Sequence, residues 1–129
     1  MKRIAIVGAG NAGCITALEL LNNPELHEIT IYHSPEEHPI EKVGQGTLPG
    51  FTRMLYNKLG VDWYNNLIDA TVKTGILYEG WGKKQDKIFH QFCSNSCTAS
   101  HFVPQKLSNL VLKSGLFNIE EKIIDNPEQ

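Results

Sequence analysis

The stretch IAIVGAGNAG, residues 4–13, places three glycines directly after a β-branched run and directly before a helical pattern. A short apolar run bounded by Gly8 has the composition of a central strand of a parallel sheet, so Arg3 to Val7 is read as a buried strand. From Asn11 to Asn22, Cys14, Ala17, Leu18 and Leu21 recur at helical spacing until Asn22-Asn23-Pro24 stops the pattern. EITIYH, residues 28–33, is then a second strand. Strand, glycine turn, helix and strand in that order imply a right-handed crossover and a parallel pair.

Gly8, Gly10 and Gly13 fit a dinucleotide fingerprint in the context it requires. Gly8 permits the tight turn, Gly10 lets the backbone approach a pyrophosphate, and Gly13 allows the helix to pack closely on the strand. The segment Gly8, Ala9, Gly10, Asn11, Ala12 and Gly13 would then hold an anion on the unpaired N–H groups and positive end of the helix. An acid for the ribose hydroxyls is expected ~20 residues further on. His33 stands there, followed by Ser34. A neutral imidazole can bond a hydroxyl but supplies no charged acceptor, and Glu36 or Glu37 could compensate.

Length and charge bound the rest. A chain of 129 residues buries one modest core. Lys and Arg number 12 against 14 Asp and Glu, with no basic stripe of the kind that neutralises a phosphate backbone, so nucleic acid is not an expected partner. No apolar run approaches the ~20 residues of a membrane span, and no membrane partner is expected. Three cysteines without a signal peptide point to reduced thiols in a cytoplasmic protein.

Beyond the second strand, Ser34 to Pro49 is irregular, interrupted by Pro35, Pro39, Gly44 and Gly46. Phe51, Met54, Leu55 and Leu59 predict a helix capped by Gly60, and a short helix is expected over Asp62 to Ala70. TVKTGILYEGW, residues 71–81, reads as one strand with Val72, Ile76 and Tyr78 on one face, and Lys87 to Phe92 as its partner. Pro104 opens a helix traced by Leu107, Leu110, Val111 and Ser114 up to Gly115, and FNIEE starts a further strand. Trp63 and Trp81 are read as packing residues.

Taken together, IVGAGNAG, KVGQGTLP (residues 42–49) and VKTGILYEGW (residues 72–81) resemble the N-terminal part of the flavin-dependent halogenases of the tryptophan halogenase family. FHQF, residues 89–92, is similar to that family's aromatic-His-Pro-Phe stretch, with Gln91 at the proline position. The resemblance implies an α/β fold: an incomplete Rossmann-like FAD-binding domain, a parallel sheet with helices, carrying a strand-rich insertion. It implies FAD on the first motif, a strap of Val43, Gln45, Gly46 and Thr47 lying against the flavin, and Lys73 as the catalytic lysine. The implied partners are a separate flavin reductase that supplies the reduced cofactor, a halide, and an aromatic small molecule such as tryptophan or another indole. Reduced flavin, dioxygen and halide would yield hypohalous acid. Lys73 would direct it, either as an ammonium that polarises it or as an amine that forms a haloamine.

Gln45 stands where the family's strap has glutamate, and the family's Trp-x-Trp-x-Ile-Pro motif is absent. Family members are several times longer. Residues 1–129 therefore read as the truncated N-terminal part of one FAD-binding halogenase domain, expected to be inactive alone and to hold flavin weakly. Two other readings stand beside this one. The glycine motif alone would fit a general FAD- or NAD-dependent oxidoreductase or monooxygenase domain. His90, Cys93, Cys97 and His101 carry zinc-competent ligand types and would suit a small zinc module, although Cys-x3-Cys is wider than the common knuckles.

Overall fold

The structure, a computed structural model, describes residues 1–23, 25, 27–35, 44–84, 86–92 and 99–123. The chain forms two compact units, Met1–Val43 with Pro104–Gln129, and Gly44–Val103.

In the first unit, β1 (Lys2–Val7), α1 (Asn11–Leu20) and β2 (His27–His33) form the expected parallel crossover. Ile4 lies opposite Ile29 and Ile6 opposite Ile31. After the second unit has intervened in sequence, α3 (Pro104–Leu112) leads to β8 (Asn118–Glu121), which joins β2 in parallel to give the order β1-β2-β8. The α/β class with a parallel sheet is therefore observed. Ile6, Ile29 and Ile31 point into a core completed by Cys14, Ala17 and Leu18 of α1 and Leu107 and Val111 of α3, all buried. Each fully buried Leu, Ile or Val side chain among these contributes about 1.5–3 kcal/mol.

The reading of β1 as a central strand is corrected. Among the described residues β1 pairs on one side only, with β2, and its alternate residues face outward: Ala5 is exposed and Val7 is 77% exposed. The same outer face carries Arg3, Glu28, Thr30 and Tyr32 along a shallow groove. A β-branched run is compatible with burial on one face or on two, and here α1 covers one.

The second unit holds β3 (Gln45–Gly46), α2 (Phe51–Leu59), β4 (Thr71–Lys73), β5 (Gly75–Glu79), β6 (Lys87–Gln91) and β7 (Ala99–Phe102). Strands β3 and β4 flank β7, both antiparallel to it, while β5 and β6 form a hairpin. Helix α2 ends as expected at Gly60, whose positive φ lets its N–H reach the Tyr56 carbonyl at 2.9 Å. Leu55 is buried, and Phe51 stacks on Phe102 with ring centroids 5.2 Å apart.

Two expectations fail in this unit. Residues 62–70 are turns rather than a helix. The Asp62 carboxylate accepts the N–H groups of Tyr64 and Asn65 at 2.9 and 2.7 Å, and the Asn66 amide brackets both backbone groups of Ala70. Asx-type bonds satisfy donors that a helix would otherwise use. The segment at 71–81 is two strands rather than one. Thr74 separates β4 from β5, which belong to different sheets, so Val72 is exposed while Ile76 and Tyr78 are half-buried. Trp81, edge-on to Tyr78, is 72% exposed rather than packed, and Trp63 is 43% exposed.

Burial pushes the Cys14 thiol up to about 11 from 9.0, opposed in part by a hydrogen bond with Ser108. The folded state thus disfavours the thiolate, and its advantage is full below pH 9 and lost as pH rises toward 11. Urea midpoints measured from pH 7 to 11 should fall more steeply for the natural chain than for Cys14→Ala.

Candidate functional site

The glycine turn is built from backbone geometry. Gly8 has φ +103°, a region that side chains rarely enter, and its N–H donates to the Tyr32 carbonyl at 2.7 Å, tying the turn to the end of β2. At Gly13 a Cβ would collide with the Gly8 carbonyl oxygen, so the helix sits on the turn because no side chain intervenes. Cys14 reinforces this contact, donating its N–H to the Gly10 carbonyl at 2.9 Å and its thiol to the Ala9 carbonyl at 3.2 Å.

Gly10 precedes α1 with ordinary extended angles, and no side chain caps the helix. The N–H groups that open α1 therefore have no side-chain acceptor, the arrangement that suits a bound anion. A Cβ built at Gly10 meets nothing within 4 Å, which leaves open space at the turn. The Asn11 side-chain oxygen is buried without a hydrogen-bond partner. An uncapped helix, room at Gly10 and an orphaned acceptor together fit a dinucleotide carrying both phosphates and hydroxyl donors. Ala12 is exposed in the same first turn.

At the end of β2, His33 is half-buried, and its Nδ1 lies 3.2 Å from the Ser34 carbonyl. Its Nε2 lies 3.7 Å from Oε1 of Glu121, its register partner on β8. This neighbour was not identified from sequence. It stands 88 positions away, and only the parallel pairing of β8 with β2 puts it there. Val43, Glu36 and Glu37 lie outside the described residues.

In the second unit the strap and the lysine meet across β7. Gln45 pairs with Phe102 and Gly46 with His101 on one side, and Lys73 pairs with Ala99 on the other. Thr47 fixes the strap: its N–H donates to the Ser100 carbonyl at 2.8 Å, and its Oγ1 accepts the Ser100 N–H at 2.9 Å. Ser100 is fully buried. A Cβ at Gly46 would lie 3.3 Å from both the Lys73 ammonium nitrogen and the His101 ring, so the bare backbone of Gly46 makes room for both. The Lys73 ammonium also lies 5.1 Å from the Phe92 ring centroid, and His90 is edge-on to Phe92.

Of the zinc-competent set, Cys93 and Cys97 lie outside the described residues, while His90 and His101 face Phe92 and Gly46. Among the described residues no group of three or more metal-ligating side chains converges. No helix among them is long and apolar enough to cross a membrane.

Residues 3–113 match the tryptophan halogenase family. An uncharacterized protein of Sinorhizobium fredii is 30% identical over 94 residues, covering 70% of this chain and 19% of that protein. The fold is similar to a flavin-dependent halogenase from Xanthomonas campestris, with TM-score 0.73 and 18% identity over 97% of this chain and 36% of that one. It is also similar to a tryptophan 6-halogenase from Streptomyces toxytricini, with TM-score 0.70 and 17% identity over 98% of this chain and 36% of that one. The chain thus spans about a third of these two solved chains and a fifth of the Sinorhizobium protein.

The two glycines of the turn should respond differently to one added carbon. Gly13→Ala should cost about 1–3 kcal/mol in urea unfolding through overpacking, despite alanine's better helix propensity. Gly10→Ala, pointing into open space, should change stability by less than about 1 kcal/mol.

Proposed function

The chain belongs to the tryptophan halogenase family, and on that premise we propose that it is the flavin-binding part of a cytoplasmic halogenase acting on an electron-rich aromatic such as an indole. FAD, reduced by a separate flavin reductase, supplies dioxygen activation and halide oxidation when bound, so that hypohalous acid is the species this chain handles. The N–H groups of Asn11, Ala12 and Gly13 would hold the pyrophosphate, with Gly8 and Gly10 keeping side chains out of its path and Ala9 contributing backbone. The orphaned Asn11 oxygen would accept a hydroxyl of the cofactor. His33 and Ser34, at the end of β2, would meet the ribose, and Gln45, Gly46 and Thr47 would form the strap.

The observation that carries the reading is the Lys73 ammonium beside Gly46 of the strap and within reach of the Phe92 ring. In the ammonium route the Phe92 ring face, 5.1 Å from the Lys73 nitrogen, helps to hold the cation in position. The ammonium donates a hydrogen bond to the oxygen of hypohalous acid, which makes the halogen more electrophilic. The aromatic carbon bonds the halogen as the oxygen–halogen bond breaks. The oxygen departs as water with the proton Lys73 gives up, and the proton lost from the ring carbon replaces it.

In a longer protein carrying these residues, Lys73→Ala should lower halogenation by about 100-fold or more, while flavin-dependent oxygen uptake persists. Loss of both activities in a folded variant would place Lys73 in the flavin site instead. Gly10→Val should abolish FAD binding at unchanged secondary structure. Retained FAD affinity, read by flavin fluorescence quenching, would remove the glycine turn from the cofactor site.

A further inference from the structure

The carboxyl ends of β1, β2 and β8 lie along one rim of the parallel sheet. Two backbone bonds tie them in sequence: Gly8 N–H to the Tyr32 carbonyl at 2.7 Å, and Lys122 N–H to the His33 carbonyl at 2.9 Å. The rim therefore presents, in order, the glycine turn, His33 and Glu121. A dinucleotide lying on the turn extends its ribose toward the end of β2, where a carboxylate ordinarily accepts the hydroxyls. This chain has no carboxylate at that position of β2.

We propose that Glu121, reaching across from β8, supplies the missing ribose acceptor and with His33 forms a two-acceptor receptor for a vicinal diol. This deepens the preceding proposal and rests on a dinucleotide occupying the glycine turn. With Nδ1–H of His33 donating to the Ser34 carbonyl, the Nε2 of the neutral ring is left as an acceptor. Glu121 Oε1 lies 3.7 Å from it, too far for a direct hydrogen bond and close enough for adjacent hydroxyls to donate one to each. The Glu121 side chain is 63% exposed and the His33 side chain 13%, so the carboxylate is accessible while the imidazole is held in place. The chemistry selects a ribose with both hydroxyls free, because a phosphate on either would meet the Glu121 carboxylate.

The test is a protein-observed NMR titration of residues 1–129 with ADP, 2′-deoxy-ADP and inorganic pyrophosphate, in the natural chain and in Glu121→Ala. The exposed position makes this substitution compatible with folding, which amide dispersion checks. ADP should bind the natural chain about tenfold more tightly than 2′-deoxy-ADP, because a hydroxyl bonded to a carboxylate is a charge-assisted contact. Glu121→Ala should bind both nucleotides alike at the weaker level. Its affinity for pyrophosphate should stay the same or rise, because a nearby negative charge has gone. Undiminished discrimination in Glu121→Ala overturns the proposal. So does a parallel weakening toward ADP and pyrophosphate, which a structural role for Glu121 would produce. Should ADP leave the amides of Asn11 to Gly13 unmoved in the natural chain, the dinucleotide reading itself fails and takes this one with it.

Discussion

The contact on which the first unit depends is the close approach of Gly13 to the Gly8 carbonyl. It brings the start of α1 against the end of β1 with no side chain between them. The approach requires Gly8 at positive φ to turn the chain, and it leaves Gly10 at the helix start without a capping side chain. The glycines that let the helix seat itself also leave its first N–H groups open to an anion. From that seat Cys14, Ala17 and Leu18 point down onto Ile6, Ile29 and Ile31, and α3 closes over α1 with Leu107 and Val111.

The second unit works by a different device. β7 is a shared rail with the strap on one edge and the lysine strand on the other. Because side chains alternate along a strand, Gly46, His101 and Lys73 fall on one face of that sheet, while Ser100 and Phe102 fall on the other, bonded to Thr47 and stacked on Phe51. The buried face fixes the register, and the register brings the Lys73 ammonium against bare backbone at Gly46.

Much of this was legible in the residues. The β1, α1, β2 crossover, helix α2 with its Gly60 cap, helix α3 and the β5–β6 hairpin all follow from periodicity and from glycine or proline punctuation. Where the reading failed, local chemistry outweighed pattern. Asp62 and Asn66 satisfy backbone groups that a helix would have used, and Thr74 divides a continuous β-prone run between two sheets. Composition also could not distinguish a strand covered on both faces from β1, which α1 covers on one.

By itself the sequence determined the elements that neighbours along the chain dictate: the glycine turn, the parallel crossover it opens, and the residue types at each motif. Tertiary structure alone decided which distant residues meet. Glu121 reaches His33 because β8 pairs in parallel with β2, and Lys73 reaches Gly46 because both flank β7. The physical reason is that sheet pairing is non-local. A strand's composition states that it will pair, and the packing of the whole chain selects with what and in which register.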